Sequence, residues 1–197
     1  IGFANAELMS IVAPAGAIAV AVISAARGTA GEEEDKTLGI LLAAPVGRLT
    51  FLFTKTVAMV IHVLIVGVLI AAGIIAAELI GDLGITASGI VGATAHTVLL
   101  GILFGMIAVL IAASTGNRRL TAAATGGLAA LAFAISTFLP LSDSLADGAK
   151  ISPWYYFNAS NPLVNGADPG HLVVLAVMTV IPMVIAAAVF HRRDLRG

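Results

Sequence analysis

Residues 56–80 read T-V-A-M-V-I-H-V-L-I-V-G-V-L-I-A-A-G-I-I-A-A-E-L-I. Only His62, in the interior, and Glu78, near the close, interrupt the apolar run. A buried strand uses about four to eight apolar residues, whereas crossing the hydrocarbon core of a bilayer takes about 20 helical ones. The stretch is too long for a strand and is read as a membrane span. Four more of the same kind lie at 8–26, 91–113, 121–140 and 172–190. None shows the period-two alternation of a barrel, so helices are the only way to satisfy the backbone in lipid. The expected fold is an all-α integral membrane protein, a polytopic helical bundle, with 1–197 forming a single transmembrane domain.

Composition agrees. Of 197 residues, 59% are hydrophobic and 11% charged, against about 25% charged in an average soluble domain. Mean hydropathy is +1.07. Ten Lys and Arg against eleven Asp and Glu give a net charge of −1. With no excess positive field to displace counterions, a nucleic-acid partner is excluded. The absence of Cys removes disulfide scaffolds, thiolate metal sites and Cys nucleophiles.

The basic residues set an orientation. Arg27, Lys36, Arg48 and Lys55 belong to the first long loop and its flanks, Arg118 and Arg119 to the loop after the third span, and Arg192, Arg193 and Arg196 to the tail. Alternating spans put all of these on one side and leave Lys150 on the other, so that side is expected to be cytoplasmic, the C-terminus included. The first span then runs inward from an external Ile1. No basic n-region precedes it, so a further span is expected upstream, making five visible spans of six.

Conventional catalysis finds no foothold. The chain has no H-E-x-x-H and no G-x-S-x-G, and no catalytic or metal-binding residue is assigned. His62 and His96 lie within spans. Each either satisfies itself on a neighbouring backbone carbonyl or marks a functional polar site. An intramembrane enzyme built on them lacks an adjacent acid or nucleophile. Lys36-Thr37 is not a phosphate loop, because Asp35 and not Gly precedes the Lys. Gly101-Ile102-Leu103-Phe104-Gly105 is a G-x-x-x-G whose small residues let helix backbones approach, either within one subunit or between two.

The richest stretch is 27–50, R-G-T-A-G-E-E-E-D-K-T-L-G-I-L-L-A-A-P-V-G-R-L-T. An acidic opening leads into 37–44, where Leu38, Leu41 and Leu42 share one helical face and Pro45 ends the run. Such a helix either rests on lipid headgroups or docks a cytosolic partner. Four consecutive acids favour the partner, since an anionic leaflet would repel them. At the opposite face, the only Trp and both Tyr cluster at Trp154, Tyr155 and Tyr156, with Phe157 next. Amphipathic rings of this kind anchor at the membrane interface, and a substrate gate is the sharper alternative.

Three runs resemble the type-2 ABC transporter permeases. They are Glu33-Glu34-Asp35-Lys36-Thr37-Leu38-Gly39-Ile40-Leu41-Leu42-Ala43-Ala44-Pro45-Val46-Gly47-Arg48, then Ser152-Pro153-Trp154-Tyr155-Tyr156-Phe157 with Asn161-Pro162-Leu163, and the closing Phe190-His191-Arg192-Arg193-Asp194-Leu195. Lys36 and Gly39 depart from the family pattern, which has Gly and an acid there. The resemblance implies a cell-membrane exporter subunit. Its first cytoplasmic loop would hold a coupling helix (Thr37, Leu38, Leu41, Leu42, Pro45), flanked by Glu34, Asp35 and Arg48, that seats on a cytosolic ATPase subunit. It implies a second permease subunit, identical or different, with ATP and Mg bound by the ATPase and no cofactor on this chain. It implies that 141–170 is an external re-entrant segment, with Pro153, Trp154, Tyr155, Tyr156, Phe157 and Pro162 at an outer gate. A membrane scaffold that docks a soluble partner without a transport cycle is the alternative.

Overall fold

The computed structural model describes residues 9–35 and 47–192, and among them there is no strand. Among the described residues, five helices are long and apolar enough to cross a membrane. These are α1 (Met9–Glu34), α2 (Arg48–Gly81), α3 (Ala87–Thr115), α4 (Arg118–Phe138, prolonged by a 3₁₀ turn to Leu141) and α7 (Pro169–Arg192). Two short helices, α5 (Pro153–Asn158) and α6 (Pro162–Asn165), lie in the connection before α7. The fold is an all-α polytopic bundle, as the sequence indicates.

Helix ends fall where local chemistry puts them. The α2–α3 hairpin turns on Asp82, left-handed at φ 44°, and on Gly84 at φ 70°. Glu78, the only acid of its span, closes this turn by accepting the Ile85 amide at 2.9 Å. Thr86 caps α3 by accepting from the Gly89 amide, and Gly116 ends it at φ 60°. Asn117 caps α4 through the Leu120 amide at 2.8 Å. Each cap satisfies a backbone donor that the helix leaves free.

Two boundaries differ from the hydropathy reading. Residues 27–34 are helical and complete α1 through a wide π-type turn, Ala26–Gly31. The second helix starts at Arg48, eight residues before the apolar run, and its 34 residues extend about 51 Å, well past a ~30 Å hydrocarbon core. Charged first turns do not register as a span, although they are helical.

Helix α3 sits at the centre. Its span is 61% buried, against 17–39% for the other four, and every other helix of the bundle packs on it. Small residues make this possible, because without a hydrophobic drive between helices in lipid, close backbone approach supplies the attraction. A Cβ on Gly101 would lie 3.1 Å from both Ala17 of α1 and Val63 of α2, and one on Gly105 would meet Met59 of α2 and Ala21 of α1. The G-x-x-x-G face is therefore occupied inside the chain. Around it Phe104, Leu100, Val63, Met59 and Val109 are buried. The outward faces of α2 and α7 carry exposed Val68, Leu69, Leu79, Ile80, Val177 and Val184, an apolar exterior suited to acyl chains.

Packing at α3 predicts a ranked series. A Cβ on Gly92 would come within 2.5 Å of the Gly166–Ala167 backbone, which cannot yield, whereas one on Gly105 meets the flexible Met59 and one on Gly126 meets nothing within 4 Å. In detergent, Gly92→Ala is expected to lower the unfolding temperature most, by an overpacking cost of about 1–3 kcal/mol. Gly105→Ala should cost less and Gly126→Ala nothing measurable. Equal losses at all three positions would contradict the packing described.

Candidate functional site

The basic end of the bundle gathers α1's last turn, the starts of α2 and α4, and the close of α7. Phe51 of α2 stacks on Phe190 of α7 with ring centroids 6.0 Å apart. Three of the four acids that finish α1 pair with neighbouring helices, Glu34 and Asp35 remaining exposed. Glu32 accepts from Lys55 Nζ at 2.7 Å, and that ammonium also lies 5.4 Å over the Phe51 ring. Glu34 accepts twice from Arg118, once from its amide at 2.9 Å and once from Nε at 2.7 Å. Asp35 receives Nη2 of the same Arg118 at 3.2 Å and Nη1 at 3.4 Å. Glu33 is buried at 5% exposure.

Glu32, Glu34 and Asp35 of the acidic run are matched by basic residues of α2 and α4. The wide turn that precedes them makes the fit possible. Thr29, Ala30 and Gly31 are buried in it, and a Cβ on Gly31 would come 3.1 Å from the Arg118 side chain. Arg48 stands exposed at the start of α2. Thr37, Leu38, Leu41, Leu42 and Pro45 lie outside the described residues, as do Arg193 and Arg196 of the tail.

At the opposite end, the connection between α4 and α7 folds back on the bundle. Ser152, almost fully buried, donates to the Ala132 carbonyl of α4 at 2.7 Å and accepts from the Trp154 amide at 3.1 Å. Pro153, at the first turn of α5, needs no amide partner. Trp154 then enters the core at 6% exposure. Its ring meets Phe133 edge-on at 5.3 Å, Phe157 at 6.0 Å and Phe104 of α3 at 6.4 Å. The interfacial-anchor expectation is corrected for Trp154 and Phe157, which are buried within the chain. Tyr155 and Tyr156 are half-buried and pack instead on His171, 5.9 and 5.4 Å away.

Pro162, also buried, opens α6 after Asn161, which is left-handed at φ 50°. Leu163, Gly166 and Ala167 press against Gly89 and Gly92 of α3. These two glycines hold the external segment on the bundle, and the sequence reading passed over them. Their i, i+3 spacing in A-S-G-I-V-G-A was the available signal. Asp168 accepts the His171 amide at 3.0 Å. That hydrogen bond above all, with smaller help from the nearby His171 and His96 imidazoles, holds its carboxyl below the usual carboxylate range. Lys150 pairs with Asp147 at 2.7 Å.

The two intramembrane histidines have separate partners. His62 Nδ1 shares a 2.9 Å hydrogen bond with Ser24 Oγ of α1. His96 is fully buried, and its Nδ1 is 2.9 Å from the Gly92 carbonyl. A carbonyl only accepts, so Nδ1 carries the proton.

With this geometry in hand, comparison with known proteins is informative at one level. A family model described as "ABC-2 family transporter protein" matches residues 2–195. Nothing matches among curated proteins or among solved structures.

Burial of the single tryptophan gives a direct optical test. In lipid, Trp154 emission is expected to be blue-shifted and poorly quenched by headgroup-attached quenchers. Trp154→Ala should cost about 3–5 kcal/mol, the range for emptying a large aromatic site, and Tyr155→Ala distinctly less. Strong headgroup quenching would restore the interfacial anchor.

Proposed function

Since this chain belongs to the ABC-2 transporter family, whose members form the membrane domain of ABC transporters, we propose that it is the permease subunit of an ATP-driven exporter. The segment 37–44 seats its Leu38, Leu41 and Leu42 face on a cytosolic ATPase subunit, with Thr37, Pro45 and Arg48 at the edges. The end of the bundle that carries Lys55, Arg118 and Arg192 faces the cytoplasm, following the positive-inside rule. ATP and Mg are bound by the ATPase subunit, and this chain performs no phosphoryl chemistry.

The observation that carries this reading is the braced stem on either side of the segment. The residues just before it, Glu34 and Asp35, are tied to α4, and α2 resumes at Arg48 and is tied back to α1 through Lys55 and Glu32. A loop whose two roots are fixed to helices can pass a push from a soluble partner into the bundle. A second permease subunit supplies the other half of the path. The two halves then tilt between inward-open and outward-open states as the ATPases close and release. At the far end the half-buried Tyr155 and Tyr156, beside the buried Trp154 and Phe157 and between Pro153 and Pro162, form the outer gate.

The test is co-purification of the permease with its ATPase from membranes. Leu41→Asp or Leu42→Asp should leave insertion and yield unchanged and weaken ATPase binding by about thirtyfold or more, the cost of losing a buried apolar anchor. Unchanged co-purification would remove the docking role. A stable complex with a soluble protein that lacks nucleotide hydrolysis would favour a scaffold.

A further inference from the structure

His62 differs from the other intramembrane histidine in where it lies. His96 is fully buried, whereas His62 is exposed on α2, within the apolar run that starts at Thr56. Its Nδ1 is 2.9 Å from Ser24 Oγ of α1, and among the described residues its Nε2 has no hydrogen-bond partner. A polar pair on the outside of a span needs a polar neighbour, because acyl chains offer neither donors nor acceptors. Arg27 follows Ser24 by three residues and shares its face of α1. It is exposed and, among the described residues, pairs with no acid, whereas Lys55 and Arg118 are taken up by Glu32, Glu34 and Asp35. In the other direction the seam between α1 and α2 is apolar. It carries Val20 and Gly16 on α1, with Ile65 and Leu69 more than half exposed on α2. A Cβ on Gly16 would meet nothing within 4 Å, so that surface is open.

From the basic end inward, the seam therefore presents a cation, then a hydroxyl–imidazole pair about 4.5 Å deeper by helix rise, then hydrocarbon. A glycerophospholipid presents the complementary order: phosphate, ester carbonyls, acyl chains. The guanidinium suits the phosphate, which it can hold with two parallel N–H donors. When the Ser24 hydroxyl donates to Nδ1, Nε2 carries the proton and can donate to an ester carbonyl. With Glu32, Glu34 and Asp35 already paired, the charge of Arg27 favours a headgroup of net negative charge over a zwitterionic one.

We propose that Arg27, Ser24 and His62 form a binding site for one anionic glycerophospholipid in the leaflet at the basic end of the bundle. The site needs neither the transport cycle nor a docked ATPase, and only the identity of its leaflet follows from the orientation proposed above.

The chain has no Cys, so Ile23→Cys, at an exposed position one turn from Arg27, carries the only thiol label. The full chain with a fluorophore there is reconstituted in symmetric vesicles of phosphatidylcholine with a minor share of phosphatidylglycerol. Bromine is placed on the acyl chains of one lipid or the other as quencher. Val184→Cys, exposed on α7, reports bulk lipid. At position 23, brominated phosphatidylglycerol is expected to quench about fivefold more than its share of the bilayer, the scale of one basic residue beside an anionic surface. Brominated phosphatidylcholine should show no excess there, and neither lipid should at 184. Arg27→Gln and His62→Leu should each remove most of the excess, and Arg27→Lys should keep part of it. Arg192→Gln, at another exposed arginine of the same end, should leave it unchanged. Blue-shifted Trp154 emission checks that each variant is folded. Equal quenching by phosphatidylglycerol at 23 and 184 would overturn the proposal. So would a loss in Arg192→Gln as large as that in Arg27→Gln, which marks diffuse attraction, or a full excess in His62→Leu. Quenching at 23 below that at 184 with both lipids would reveal a protein on this face and overturn it as well.

Discussion

Close backbone approach at α3 is the constraint on which the rest of the structure depends. In lipid there is no aqueous penalty to drive one apolar helix onto another, so the bundle holds where small residues let neighbours come near. Gly101 and Gly105 admit α1 and α2, and Gly89 and Gly92 admit the Leu163–Ala167 backbone. Larger side chains on the same helix, Leu100 and Phe104, fill what remains between them. A helix so completely surrounded acts as the fixed post of the bundle.

The polar groups of the bundle follow the same logic. Within the apolar interior several have a local answer, His96 Nδ1 on the Gly92 carbonyl, Thr97 on Ala93, Thr179 on Leu175 and Ser152 on Ala132, while among the described residues His96 Nε2 and the Thr125 hydroxyl are buried without a hydrogen-bond partner. Charges are confined to the ends, where they join separate helices. The Glu32–Lys55 and Glu34–Arg118 pairs are partly exposed, so each alone contributes little to stability. Their value is geometric. They fix how α1, α2 and α4 enter the basic end, and therefore how the roots of the intervening segment are placed.

Much of this was legible in the sequence and some of it was not, for identifiable reasons. The five spans stood out because each is a long apolar run whose helical state is imposed by the bilayer. The turns of α1 and α2 at the basic end did not, because Glu32, Glu34 and Lys55 look like loop residues until their partners are known. Arg118, which answers Glu34, is 84 positions away. Trp154 looked interfacial by composition, and only Phe104 and Phe133, brought from two other helices, explain its burial. Gly89 and Gly92 were silent for the same reason, since what presses on them comes from beyond the fourth span. Local pattern gave the elements; the sites depend on contacts across the chain.

The proposed function requires a soluble ATPase to engage the loop between α1 and α2. Hydrogen exchange of the permease in lipid, with and without its ATPase, tests it most directly. New protection concentrated in residues 37–48, with the rest of the basic end little changed, is the predicted result. Protection elsewhere on the chain with none in that segment would contradict it.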